Sequence, residues 1–398
     1  MRVERNIRLL RSHALFMNMA FVIPVIMPYY RDEMGLSFQD FLIGEAAFAA
    51  VIVALDVPTG WLSDVWQRKH VLALGTFMQL CGYAILAVAH SLFGAVLAQS
   101  VIGIGISLLN GTISAMMYES LMCGGREAEY RRVEGRRNGY ALYSVAGASV
   151  LGGMMYPYAH HLPVILSVLA QLCSLVVACL MDEPERHRKM PEKHPVADII
   201  ETTRYALRHP EVGFIIVFAS VMFCSTKLIM WTQQPYYMAL GLKESLYGVL
   251  MAVGFVLGGF SSQMAHRLDG RVGTYSALMI AWGLALAVAL GAGLSLGLPG
   301  VALLMAGGTC VYGIAAPRVS EAINKNVGSE RRATVLSTQS LLTSLLFMPV
   351  STVMGRVSEA AGVQATLLAI AGWLCIAGLS LALWALRRRQ APKVVKVT

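Results

Sequence analysis

Asp182 to Pro210, DEPERHRKMPEKHPVADIIETTRYALRHP, is the long polar stretch of an otherwise apolar chain, and it falls close to the chain's middle. Its first part is Pro-rich and charged, a linker composition, whereas Val196 to Leu207 has a helical spacing suited to a membrane surface. Outward from it, apolar runs lie near 9–30, 38–62, 70–89, 92–118, 138–158 and 162–181 on one side. On the other they lie near 210–237, 244–265, 274–294, 299–317, 333–354 and 363–386. Each run has the roughly 20 residues that cross a bilayer as a helix. The expected fold is therefore an all-α membrane protein of twelve transmembrane helices in two six-helix bundles. Its parts are a first bundle at 1–181, a cytoplasmic linker at 182–209, a second bundle at 210–386 and a basic tail at 387–398.

Composition agrees. The 398 residues are 56% hydrophobic and only 14% charged, against about 25% charged in soluble domains, too little polar surface for a soluble globule. The net charge of +9 would suit nucleic acid only if the basic residues shared one solvated face. Here they sit between apolar runs, so the expected surroundings are a lipid bilayer and not nucleic acid. An even span count puts both termini on one side. That side would carry Arg5, Arg8 and Arg11, Arg68 and Lys69, the Arg126 to Arg137 cluster, the linker, and the tail, while Arg31, Lys243 and Arg356 face the other. Lys and Arg favour cytoplasmic loops, so both termini are expected in the cytoplasm. The seven Cys form no CxxC pair or zinc spacing and read as packing residues. The first run is too long for a signal-peptide core, so it is expected to stay as the first span.

The halves resemble each other. Pro28-Tyr29-Tyr30 followed by Gly35-Leu36 recurs as Pro235-Tyr236-Tyr237 followed by Gly241-Leu242, and the same register carries Asp64 onto Asp269. Such a repeat predicts two pseudo-symmetric bundles with a binding site between them at mid-depth.

Between runs two and three the chain reads Gly60-Trp61-Leu62-Ser63-Asp64-Val65-Trp66-Gln67-Arg68-Lys69. This loop resembles the signature of the major facilitator superfamily: a Gly, an Asp four residues later, then a basic pair. Pro58-Thr59 and Arg332-Ala333-Thr334-Val335-Leu336-Ser337 are similar to segments of the same superfamily. The resemblance implies alternating access by two six-helix halves, with Gly60, Asp64, Arg68 and the degenerate second-half Asp269 as gating residues. Physically, Gly60 would let another helix approach closely, and Asp64 could accept from a helix N-terminus or pair with an Arg of the other half. Alternatively, Arg68 and Lys69 merely follow the topology. Superfamily drug–proton antiporters carry a Gly-Pro step in span five, and Gly147 to Gly153 here lacks that Pro.

Ionisable groups in hydrocarbon are costly, at least about 2.5 kcal/mol on insertion scales, so each needs a reason. Asp56, Glu45 and His13 are the candidates for proton coupling; an interhelical ion pair is the alternative for Asp56, and simple reach to the interface for Glu45. Lys227, Trp231 and Gln234 fall at i, i+4 and i+7 on one helix face, a stripe suited to an anionic or zwitterionic ligand. The alternative for Lys227 is neutralisation by an acid on a neighbouring helix. Asn18, Gln99 and Asn110 complete the candidate substrate contacts, and His160 and His161 read as solvated. Gly293-Leu294-Ser295-Leu296-Gly297 matches a hydrolase nucleophile elbow but lacks a preceding strand and a placed His. No P-loop or dinucleotide fingerprint is present, so neither cofactor nor metal is expected.

The expectation is a monomeric secondary active transporter of the bacterial inner membrane, not an enzyme, coupled to protons and exporting a small organic molecule. A carrier of an anionic metabolite such as a carboxylate-type siderophore, importing or exporting, is the alternative; a membrane-embedded hydrolase is a remote one.

Overall fold

The computed structural model describes residues 2–184, 203–204, 206, 209–267, 273–327 and 332–390. The first bundle comprises α1 (Arg2–Met17), α2 (Ile26–Met34), α3 (Phe38–Val65), α4 (Arg68–Val88), α5 (Leu92–Leu109), α6 (Thr112–Met122), α7 (Tyr130–Met155) and α8 (Leu162–Cys179). The second comprises α9 (Pro210–Ala239), α10 (Glu244–Arg267), α11 (Thr274–Leu294), α12 (Leu298–Asn326) and α13 (Arg332–Gln390). Among the described residues nine helices are long and apolar enough to cross a membrane; one of these stretches, Thr334–Trp384, has 51 residues, length for two crossings at about 20 residues each. It is interrupted at Gly362, whose φ of 80° takes α13 out of helical geometry.

Two apolar runs that read as continuous are broken. The first run divides into α1 and α2 around a 3-10 turn at Ile23–Val25. Pro24 and Pro28 lack the N–H that a continuous helix would use there. Backbone groups freed in hydrocarbon must find partners, and side chains supply them. Gln171 Nε2 donates to Met17 O at 2.9 Å, Val22 N–H donates to Ser167 Oγ at 3.2 Å, and Gln234 donates to Ile23 O at 2.8 Å while accepting from Met27 N–H at 3.0 Å. The fourth run breaks between α5 and α6 at Gly111, φ 77°.

The internal repeat is visible as matched geometry. Gly35 and Gly241 end α2 and α9 at φ 64° and 65°, and the following Leu36 and Leu242 N–H groups return to Tyr30 O and Tyr237 O. Tyr29 OH donates to Leu86 O at the end of α4, and Tyr236 OH donates to Ser295 O at the end of α11.

The two groups of helices meet chiefly along α3 with α13 and along α7 with α10. Small residues set the second contact: a Cβ on Gly248 would lie 1.9 Å from Ser149 O, and one on Gly153 2.9 Å from Gly248 N. The Gly-rich run in α7 thus serves helix approach, which is what small residues do between helices in lipid. The end of the bundle remote from the termini is further tied by Ser37 Oγ to Glu359 at 2.5 Å and Arg31 to Glu244 at 3.7 Å. At the end that bears the N-terminus, Trp61, Val65 and Trp66 of the α3 segment are exposed.

Most of the linker lies outside the described residues, as does the surface-helix expectation over Val196 to Leu207 apart from isolated positions. Its beginning is held: Asn6 Nδ2 donates to Asp182 O at 2.8 Å, and Glu183 accepts from the Arg68 and Lys69 N–H groups at 3.0 and 2.8 Å. An acid on a helix N-terminus is a favourable cap. The seven Cys are free thiols, and His160 and His161, read as solvated, both hold Glu33, at 2.9 and 2.7 Å.

Candidate functional site

Between the two groups lies a cavity of about 210 Å³ lined by residues of α3, α4, α5, α9 and the broken first run. Its walls are largely apolar and aromatic, including Phe41, Phe48, Tyr83, Ile102 and Trp231, and its charged lining residues are Glu45 and Lys227. Glu45 on α3 is 5% exposed. Lys227 Nζ, from α9 in the other half, approaches Glu45 Oε2 at 2.9 Å. Trp231 Nε1–H donates to the same oxygen at 3.1 Å, and Gln99 Nε2 donates to Oε1 at 3.0 Å. One cation and two neutral donors thus converge on a single carboxylate. Lys227 Nζ also stands 4.1 Å from the Phe347 ring centre and 5.4 Å from that of Phe48, within cation–π range. The Phe41 ring meets Trp231 edge-on at 4.9 Å.

Lys227, Trp231, Glu45 and Gln99, taken from the sequence, are thus brought together, and the Lys is neutralised by an acid of a neighbouring helix. Gln234 lies apart from them. It shares the helix face of Lys227, yet its amide is spent on the backbone of the broken first run, and it does not line the cavity. Asn18 donates to Ala14 O at 2.7 Å, a bond within its own segment. His13 is fully buried and pairs through Nε2 with Thr76 Oγ1 at 2.9 Å, away from the cavity lining. Asn110 caps the end of α5 and reaches Asp56 Oδ1 at 3.4 Å rather than the cavity. Nothing in the sequence sets Phe41, Phe48, Tyr83 and Phe347 apart, because aromatic residues in apolar runs carry no signal distinguishing wall from packing.

The Gly60 to Lys69 loop is organised around Arg68. Among the described residues, no atom lies within 4 Å of a Cβ built on Gly60. Asp64 is exposed and, among the described residues, pairs with Arg68 of its own half, at 3.4 Å. Arg68 instead anchors on α6: its Nε contacts both Glu119 carboxylate oxygens at 2.8 Å, and Nη1 donates to Ser63 Oγ at 2.8 Å. Glu119 and Glu183 are acids the motif does not contain. Asp269 lies outside the described residues.

Ser295 of the hydrolase-like pentapeptide donates to Gly291 O at 2.8 Å, and Gly297 N–H donates to Tyr236 OH at 3.1 Å. The turn clasps a tyrosine; its serine has no base beside it among the described contacts.

None of the curated proteins matches the chain in sequence. Solved structures match its fold. A point variant of the nucleoside transporter NupG gives a TM-score of 0.81 at 13% identity, covering 96% of this chain and 99% of that one. A bacterial homologue of the human lysosomal transporter Spinster, in an inward-facing unoccupied conformation, gives 0.73 at 15% identity, covering 98% and 99%. A POT family transporter in complex with 5-aminolevulinic acid gives 0.72 at 13% identity, covering 96% of each chain. The sequence profile of the Major Facilitator Superfamily matches residues 9–350, and with the transporter-like helical fold this places the chain in the Major Facilitator Superfamily, as a multi-pass membrane transporter.

Proposed function

We propose that this protein is a secondary active transporter that moves a small organic molecule by alternating access and couples the movement to protons at Glu45. The observation that carries the reading is the Glu45–Lys227 ion pair, one partner from each half, in the cavity between them. A charge pair across the moving interface makes the access equilibrium depend on protonation and on ligand, because either one alters what holds the halves together. In this reading the ends bearing Ser37 and Glu359 are external and shut, the termini are cytoplasmic, and the protein works as a monomer of the bacterial inner membrane without a cofactor.

A second reading, carriage of an anionic metabolite, is favoured by Lys227 being the cation of the cavity. The test is to profile the small molecules that accumulate in or disappear from cells overexpressing the protein, with and without a proton uncoupler. A compound whose uncoupler-sensitive distribution follows expression supports the proposal; expression-dependent distributions that ignore the uncoupler contradict proton coupling.

A further inference from the structure

We infer that the Glu45–Lys227 pair is a charge-exchange site that carries one compact organic monoanion, about the size of a single-ring carboxylic acid, together with one proton. The inference rests on the transporter reading above and adds the substrate class and the sign of coupling.

Three observations combine. First, Lys227 is already paired: Glu45 Oε2 lies 2.9 Å from its Nζ. A ligand carboxylate can take Lys227 only if Glu45 gives it up, and Glu45 does so at least cost when it accepts a proton, since a buried carboxylate stripped of its cation is unfavourable. The converse also holds: protonating Glu45 with no anion present would strand the ammonium among Phe48 and Phe347. Proton and anion therefore enter as a set, and the cavity's net charge stays at zero before and after. An empty, paired site can reorient without a loose charge, and so can a site loaded with both, whereas neither half-loaded form is favoured.

Second, the remaining polar groups suit the exchange. Gln99 and Trp231 both donate to Glu45. When Glu45 is protonated the indole N–H is released and can donate, beside Nζ, to the incoming carboxylate. The other titratable groups about the pair are the Tyr30 hydroxyl from α2 and Tyr83 from α4, within electrostatic reach of Glu45, and Cys224, within reach of Lys227 on its own helix. From α13 the facing group is the Phe347 ring. Phenols and thiols ordinarily titrate at about pH 8.5 and above, outside the mildly acidic range.

Third, the cavity of about 210 Å³ is below the roughly 300–1,000 Å³ of pockets for drug-sized ligands, and its aromatic walls call for an apolar body behind the charge. A bulky polycarboxylate fits neither the volume nor the single cation. Cotransport of anion and proton, in a membrane whose proton gradient points inward, drives uptake, the reverse of the export expected from sequence.

The test is binding of single-ring monocarboxylates (benzoate, salicylate, nicotinate) and their primary amides to the full-length protein in detergent. Calorimetry at ~pH 5.5 and ~pH 8 would follow the linkage of one proton to one anion. Carboxylate affinity should rise as pH falls, by up to about tenfold per pH unit, with proton uptake on binding, while amide affinity stays flat. Lys227→Met should weaken carboxylates about ten- to a hundredfold and spare the amides, and Glu45→Gln should bind carboxylates with no pH dependence. The wild-type pH series decides even if a variant misfolds. Carboxylates that fail to bind, bind no better than amides, or bind without proton uptake overturn the inference. Uncoupler-sensitive transport by wild type alongside that result would show that the substrate class failed and the transporter reading did not.

Discussion

Lys227 and Glu45, on helices of different halves, lie with Nζ 2.9 Å from Oε2 in a mostly apolar cavity, and Trp231 and Gln99 complete the carboxylate's coordination. The pair is an interhelical tie as well as a charge, and the two roles separate in a mutant cycle.

Breaking the pair from either side should lower stability. A fully buried pair costs roughly 3–5 kcal/mol to break; the Lys227 side chain is 28% exposed, so roughly 1–3 kcal/mol is expected for Glu45→Gln or Lys227→Met alone. Combining the two should recover most of the loss, since neither charge is then stranded. Thermal unfolding of the four proteins in one detergent measures the coupling; additive losses would mean the pair is incidental.

The signature loop should split by residue. Asp64 is solvent-facing and its contact with Arg68 is long, so Asp64→Asn should change stability by under about 0.5 kcal/mol yet slow transport if the proposed gating role holds. Arg68→Ala, which strands Glu119, should destabilise by about 1–3 kcal/mol. Vesicle flux and Tm together check this; wild-type flux in Asp64→Asn would remove Asp64 from the gate.

Closure of the far end is expected to depend on the close packing of α7 on α10. Gly248→Val places a side chain where Ser149 O already lies, and should separate the ends bearing Ser37 and Glu359. Gly147→Ala, with open space around it, should be neutral or slightly stabilising. Distances between spin labels at positions 37 and 359 would report the difference; an unchanged distribution in Gly248→Val would show that closure does not need this contact.

Asp32 predicts an acid limb outside the membrane. Burial opposes its charge, but the Arg31 guanidinium and the Tyr156 hydroxyl outweigh burial and hold its carboxyl below the usual carboxylate range. A group depressed on folding contributes stability above its unfolded pKa, about 3.9, and loses it as pH falls through the lower folded value. Asp32→Asn should therefore flatten the stability profile below about pH 4 and leave its shape near neutrality alone. Parallel thermal scans across pH check it; an unchanged acid limb would mean Asp32 is no more ion-paired folded than unfolded.

Much of the fold was legible because lipid imposes long apolar runs, and the recurring Pro-Tyr-Tyr and Gly-Leu landmarks reappear as matched helix ends at Gly35 and Gly241. Lys227 and Glu45 each stood out as charges in hydrocarbon. Their meeting was not legible, because it depends on how two helices from different halves register in depth. Gln234 shows a related limit: a helical wheel assigns it to the face of Lys227, but its amide bonds the freed backbone at Ile23 and Met27, where a continuous helix was expected. Arg68 illustrates a third limit. The motif contains its basic residue but not Glu119, which an independent helix supplies.

The central claim is that Glu45 couples transport to protons, and it is tested most directly by comparing wild type with Glu45→Gln in cells, using a compound whose distribution follows expression. Accumulation against its gradient and exchange of labelled for unlabelled compound would both be measured, with and without an uncoupler. The account predicts that Glu45→Gln still exchanges the compound but neither accumulates it nor responds to the uncoupler. Uncoupler-sensitive accumulation at the wild-type level in Glu45→Gln would contradict it.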